Sequence, residues 1–138
     1  MLSEGKSEMG DDHQPVSIVI IDDNPSSLEF VVAALSRSGV QILTSTEAQE
    51  GLALVAEHHP KLVMTDVIMP GMSGIHVLRS VKDVDPTIDV VLMSADDLPE
   101  TDGKVERLAA DYLRKPIAPS ELRECVARLI SKHQNGKS

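Results

Sequence analysis

Apolar residues in this chain gather into five short runs, and each run gives way abruptly to polar residues, proline or glycine. The runs are Val16–Ile21, Gln41–Ser45, Leu62–Thr65, Val90–Met93 and Asp111–Arg114. Runs of this length with such breaks after them are typical of strands in a sheet. The first is mainly β-branched, which predicts a strand buried on both faces. The second is less apolar and is expected at an edge of the sheet.

Between these runs, apolar residues recur at the spacing of helices. The predicted helices extend from Asn24 to Gly39, from Thr46 to about His58, from Val77 to near Pro86, over Pro99–Leu108, and onward from Pro119. Asn24 is a good helix cap, and a proline follows it in the first turn. Thr46 and Gln49 have the spacing of a capping box. The fourth helix is expected to be weak because it contains Pro99 and Gly103.

Strands that alternate with helices predict an α/β protein with a parallel sheet and right-handed crossovers. A chain of 138 residues is long enough for one such domain with a real core, and too short for two. We predict a three-layer, doubly wound (βα)5 flavodoxin-like fold with strand order 2-1-3-4-5 and a switch point between strands 1 and 3. The domain is placed at residues 15–133, after a disordered tail at residues 1–14 and before a polar tail at residues 134–138.

Composition then narrows the classes of function. The chain carries 22 acidic and 13 basic residues, a net charge of −9, which argues against direct nucleic-acid binding by this domain. Aromatic residues are 1% of the chain, so there is no stacking platform for a flavin or for bases. A single cysteine, Cys125, excludes a disulfide framework. The N-terminus is unlike a signal peptide, and no apolar run approaches the length of a membrane span. A cytoplasmic protein without membrane contact is expected.

Chemically useful side chains stand at the ends of four predicted strands. Asp22 and Asp23 follow strand 1, Asp66 follows strand 3, Ser94 follows strand 4 and Lys115 follows strand 5. Each alone is most simply a strand-end cap or a turn residue, but parallel strands bring all of these ends to one edge of the sheet. Crowded carboxylates repel one another unless a cation is present, and Mg²⁺ prefers oxygen ligands of this kind. With a lysine and a hydroxyl nearby, the set suits phosphoryl transfer to a carboxylate nucleophile.

Four motifs, in this order and with these spacings, resemble the receiver domains of two-component response regulators, the CheY-like family. They are IIDDNP around the acidic pair, TDVIMPGMSG around Asp66, VVLMSA around Ser94 and DYLRKP around Lys115. The resemblance covers about Val16–Lys132. It implies a regulatory phosphoacceptor domain of a phosphorelay, which contributes to its own phosphorylation and dephosphorylation but is not an enzyme with an external substrate.

The resemblance also implies a role for each matching residue at the site. Asp66 matches the phosphoacceptor, which takes a phosphoryl group from a phosphohistidine of a sensor histidine kinase or a histidine phosphotransfer protein. Asp23 matches a direct Mg²⁺ ligand, and Asp22 holds the metal partly through water. Asp66 and the backbone carbonyl of Ile68 complete the protein ligands of Mg²⁺. Lys115 matches the lysine that pairs with the phosphoryl group.

A second group of residues matches the switch of the family. Ser94 matches the hydroxyl that moves toward the phosphoryl group, and Ala95 matches the small residue that leaves it room. Tyr112 matches the aromatic residue that follows Ser94 inward, and Pro116 matches a proline often preceded by a cis peptide bond. The shift is expected to change the surface of helix 4, strand 5 and helix 5, which a downstream protein or effector domain reads. A homodimer that depends on phosphorylation is a further expectation.

Three other classes of protein share parts of this pattern. A Mg²⁺ phosphohydrolase of the haloacid dehalogenase type also uses an aspartyl nucleophile, but at the end of the first strand, where this chain has Asp22. A flavodoxin-like electron carrier needs a hydroxyl-rich phosphate loop after strand 1 and aromatic residues, which this sequence lacks. A receiver-like scaffold that is never phosphorylated is the third alternative, and the complete set of site residues argues against it.

One departure from the family concerns Ile68, two residues after the acceptor, where a polar side chain is common. We expect the apolar Ile68 to shield an acyl phosphate from water and to give a long-lived phosphorylated form. The alternative is that Ile68 only packs on its loop.

Overall fold

The computed structural model describes residues 17–96 and 103–135. Five parallel strands form a single sheet in the order β2-β1-β3-β4-β5. The strands are β1 (Ile18–Ile21), β2 (Ile42–Ser45), β3 (Leu62–Asp66), β4 (Asp89–Ser94) and β5 (Asp111–Arg114). The doubly wound order 2-1-3-4-5 predicted from the sequence is confirmed. The predicted tail at residues 1–14 lies outside the described residues.

Helices cover both faces of this sheet, as the three-layer prediction requires. They are α1 (Pro25–Leu35), α2 (Ala48–His58), α3 (Gly74–Val84), α4 (Lys104–Leu108) and α5 (Pro119–Asn135). The fourth is short, and residues 97–102, where its start was predicted, lie outside the described residues. The fifth includes residues 134 and 135, which the sequence pattern had assigned to a tail.

Alternate residues of each central strand enter two separate cores. In β1, Ile18 and Ile20 pack with α1 and α5, whereas Val19 and Ile21 pack with α2 and α3. All four are fully buried, as are the first four residues of β3. A strand buried on both faces needs apolar residues at every position, which is why these runs are continuous rather than alternating.

Of the two helix caps predicted from the sequence, the one for α1 is correct and the one for α2 is wrong. Asn24 caps α1, since its side-chain oxygen accepts hydrogen bonds from the backbone N–H groups of Ser26 (2.9 Å) and Ser27 (3.2 Å). The capping box at Thr46 is wrong, because the cap of α2 is Glu47, whose side chain makes no capping hydrogen bond. Ser45 holds this turn instead: its buried hydroxyl accepts from the Glu47 N–H (3.0 Å) and lies 3.0 Å from Glu50 Oε1.

No helix within residues 17–96 and 103–135 is both long enough and apolar enough to cross a bilayer.

The loop between α3 and β4, at the end of the sheet away from the predicted site, is organised by Asp85. One carboxylate oxygen accepts from the backbone N–H (3.0 Å) and the hydroxyl (2.6 Å) of Thr87. The other lies 3.1 Å from Nδ1 of His59, whose φ of 45° ends α2. These Thr87 hydrogen bonds, with His59, lower the pKa of Asp85 from its usual 3.8 to about 2.

Because the pKa of Asp85 is lower in the folded state, its carboxylate stabilises the fold above its unfolded pKa near 4. That contribution is lost as the pH falls through the folded pKa near 2. We expect Asp85→Asn to lower the free energy of unfolding at neutral pH by at most about 1 kcal/mol, because its partners His59 and Thr87 are exposed to solvent. Urea denaturation from pH 7 to 2 should show the difference from wild type shrinking below pH 4. The exposed Asp83→Asn on α3 is the matched control, and a pH-independent difference would contradict the assignment.

Candidate functional site

Three carboxylates meet where β1 and β3 end side by side. Asp22 directly follows β1, and Asp66 is the last residue of β3. Carboxylate oxygens of Asp22, Asp23 and Asp66 all lie within 4.8 Å of one another. Asp22 is completely buried and accepts a hydrogen bond from the backbone N–H of Asn24 (3.0 Å), whereas Asp66 is half-buried and Asp23 is exposed. The group therefore has a fixed inner acid and a side open to solvent.

Lys115 reaches this group from the loop after β5. Its Nζ donates to Oδ2 of Asp22 at 2.8 Å and lies 3.6 Å from Oδ1 of Asp66. Its backbone N–H donates to the Ser94 carbonyl (2.8 Å), which fixes the loop to the end of β4. The Lys115–Pro116 peptide bond is cis, as the family resemblance implied. The structure thus brings together the acids and the lysine that the sequence singled out.

The site carries more negative charge than one lysine balances. Burial raises the pKa of Asp66; Lys115 opposes this rise, while Asp22 and Asp23 add to it. Burial acts to lower the pKa of Lys115, but its contacts with Asp22 and Asp66 outweigh burial and raise it. Lys115 consequently stays charged, and a further cation would relieve the remaining repulsion. Three carboxylates open to solvent on one side are a donor set that fits Mg²⁺.

Ser94 and Tyr112 meet at the backbone of one residue, Asp96. Ser94 is buried, and its hydroxyl accepts a hydrogen bond from the Asp96 N–H (3.1 Å). The half-buried Tyr112 donates its hydroxyl proton to the Asp96 carbonyl. No sequence pattern pointed to Asp96, because its backbone rather than its side chain makes both contacts. These bonds connect the end of β4 to the middle of β5 through the loop after β4.

The loop after Asp66 is held close to its own strand by Gly74. Its N–H donates to the Val67 carbonyl (2.7 Å), and a Cβ at this position would lie 2.1 Å from the Asp66 carbonyl oxygen. The Val67 N–H donates to the Met93 carbonyl (2.9 Å), which ties the same loop to β4. Ile68 follows with its side chain 60% exposed. Any larger residue at position 74 would therefore displace the backbone that carries Asp66.

Comparison with known proteins agrees with this geometry. Residues 18–127 match the family described as the response regulator receiver domain. The chain belongs to this family of two-component signalling proteins, whose members act as regulatory phosphoacceptor switches.

Curated relatives include both longer and equally short proteins. The phosphate regulon transcriptional regulatory protein PhoB of Pseudomonas aeruginosa is 34% identical over 116 residues, which is 82% of this chain and 49% of that protein. The protein PilH of the same organism is 32% identical over 119 residues, covering 83% of this chain and 97% of PilH. The chain thus spans about half the length of PhoB and nearly all of PilH.

Solved structures show the same fold. A response regulator receiver domain protein from Clostridium thermocellum superposes with a TM-score of 0.78 at 29% identity, over 86% of this chain and 97% of that one. The signal receiver domain of a LuxO repressor protein from Vibrio parahaemolyticus reaches a TM-score of 0.82 at 19% identity, over 90% and 96% of the two chains.

The close approach at Gly74 makes a stability prediction. We expect Gly74→Ala to lower the free energy of unfolding by about 3 kcal/mol or more, because the added methyl meets the backbone of Asp66 and Val67. Gly51→Ala on α2 is the matched control, since its methyl meets only the side chain of Ile21, which can move in part. Both changes gain helix propensity. Guanidinium denaturation compares the two, and an equal cost at both positions would contradict a backbone clash.

Proposed function

We propose that Asp66 accepts a phosphoryl group from a phosphohistidine of a sensor histidine kinase or a histidine phosphotransfer protein, with Mg²⁺ bound beside it. The observation that carries this proposal is the meeting of Asp22, Asp23 and Asp66 within 4.8 Å, with Lys115 2.8 Å from Asp22. Asp66 is proposed as the acceptor because it is half-buried and faces the same solvent-open side as Asp23. Asp22, in contrast, is completely buried and paired with Lys115.

In the proposed reaction, an Asp66 carboxylate oxygen attacks phosphorus and the phosphorus–nitrogen bond to the donor histidine breaks. The products are an acyl phosphate on Asp66 and a free imidazole on the donor. Asp23 and Asp66 would hold Mg²⁺ directly, Asp22 partly through water, and Ile68 through its backbone carbonyl. The bound ion would supply charge neutralisation to the phosphoryl oxygens.

Lys115 is proposed to pair with the phosphoryl group once that group is in place. Its Nζ already lies 3.6 Å from Asp66, so a short movement away from Asp22 is enough. A point charge on a flexible stem suits this change of partner.

The proposed switch begins at Ser94. When its hydroxyl turns from the Asp96 N–H to a phosphoryl oxygen, the backbone of Asp96 loses one of its two restraints. The second restraint is the hydrogen bond from the Tyr112 hydroxyl to the Asp96 carbonyl. In the proposed switch this bond breaks next, and Tyr112 moves inward. The population shifts to a state with a different α4–β5–α5 surface, which a downstream protein, an effector domain or a second copy of the chain would read. We place this activity in the cytoplasm.

Acetyl phosphate with Mg²⁺ tests the acceptor directly. Intact mass spectrometry should show a gain of one phosphoryl group on the wild-type chain and none on Asp66→Asn. Asp23→Asn should slow the gain, roughly tenfold or more at a fixed Mg²⁺ concentration, without abolishing it, because this variant keeps the nucleophile.

The same experiment separates the alternatives. A mass gain that survives in Asp66→Asn would overturn the assignment of the acceptor. Continuous release of phosphate that depends on Asp22 would indicate a phosphohydrolase of the haloacid dehalogenase type. A wild-type chain that gains no mass from acetyl phosphate or from a phosphohistidine donor would be a scaffold.

Ile68 is proposed to prolong the phosphorylated state. Its exposed side chain stands two residues after Asp66, in the loop that faces solvent. We expect Ile68→Asn to shorten the lifetime of the acyl phosphate several-fold, because a polar group can orient an attacking water. Ile68→Val is the control and should leave the lifetime close to that of wild type. The lifetime is measured from the decay of the phosphorylated mass after acetyl phosphate is removed. Equal decay rates in wild type and both variants would contradict the proposal.

A further inference from the structure

A basic groove lies along α5, remote from the acids of the proposed phosphorylation site. It is a cavity of ≈ 520 Å³ whose charged lining consists of Arg37, Lys61 and Arg123. The lining contains no acidic residue, although the chain as a whole carries a net charge of −9. The cavity between β5 and α5 differs in charge, because three acidic residues and one arginine line it: Asp111, Glu121, Glu124 and Arg128.

The three cations of the basic groove come from separate parts of the fold. Arg37 follows α1, Lys61 precedes β3, and Arg123 is on α5. Across residues 17–96 and 103–135, none of the three has a side-chain hydrogen bond or an ion pair. Some other cations of the domain are paired, for example Arg128 with Asp111 at 2.7 Å. The charges in the groove are therefore available to a ligand without the cost of breaking an existing pair.

The shape of the groove favours an extended ligand over a compact anion. The α5 residues that line it fall on one face of the helix, and they run from Arg123 to Ser131. The eight steps along the helix from Arg123 to Ser131 span about 12 Å, which is the length of roughly four residues of an extended peptide. Between the charges, the lining is uncharged: Val40, Val126 and Ile130 are its larger apolar residues, and small residues including three serines make up the rest. Acidic side chains that alternate with apolar ones would match both parts of this lining.

We propose that this groove binds an acidic, partly apolar peptide segment of a partner protein. The net charge of the chain opposes an acidic partner at long range, but salt screens charges beyond about 8–10 Å, so the three local cations dominate at contact. The site lies outside the acid cluster of Asp66, and binding is expected to persist in Asp66→Asn. Failure of phosphorylation and failure of this proposal can therefore be told apart.

Fluorescence anisotropy with a short labelled peptide, glutamate alternating with valine, tests the groove. We expect the peptide to bind the full chain, and Lys61→Gln and Arg123→Gln each to weaken its Kd roughly tenfold. Arg79→Gln, which removes an equal charge on α3, is the matched control and should leave Kd unchanged. A peptide with glutamine in place of glutamate should bind much more weakly, and thermal unfolding confirms that each variant is folded.

Three results would overturn the proposal. They are no binding by the glutamate peptide, equal loss in Arg79→Gln, and displacement of the peptide by inorganic phosphate at comparable concentration. The third would indicate a compact anion site.

Discussion

Crowding of negative charge at the switch point of the sheet is the constraint on which the site depends. The order β2-β1-β3 places the ends of β1 and β3 side by side, so the carboxylates of Asp22 and Asp66 lie close together. Asp22 is completely buried, and an unpaired buried carboxylate would be costly. Lys115 offsets that cost by pairing with Asp22 at 2.8 Å. The negative charge that remains on the other two carboxylates favours binding of a divalent cation.

The backbone of Asp96 connects this charged site to the surface beyond it. Ser94, which ends β4, and Tyr112, on β5, both hydrogen-bond to that one residue. The Lys115 N–H also donates to the Ser94 carbonyl, so a second hydrogen bond joins the end of β4 to the loop after β5. If the Ser94 hydroxyl took another partner, it would give up its bond to the Asp96 N–H, so the loop after β4 would lose a restraint as well.

Much of the fold could be predicted because buried strands and amphipathic helices leave strong periodic patterns. The apolar runs Val16–Ile21 and Leu62–Thr65 were correctly predicted to form strands, and the strand within the first run is buried on both faces as expected. The capping box predicted at Thr46 was wrong. Ser45, one residue earlier at the end of β2, accepts the hydrogen bond from the Glu47 N–H instead. Spacing alone cannot choose between adjacent hydroxyls, since the choice depends on which one the strand directs toward the turn.

The sequence by itself determined the strand order, the family and the set of polar residues at the strand ends, because these follow from local patterns and from motif spacing. Only the tertiary structure decided which of those residues touch. Lys115 contacts Asp22 more closely than Asp66, although they are widely separated along the chain, because the packing of β5 beside β4 sets its approach. The role of Asp96 and the basic groove of Arg37, Lys61 and Arg123 also depend on contacts between distant segments, which no local pattern records.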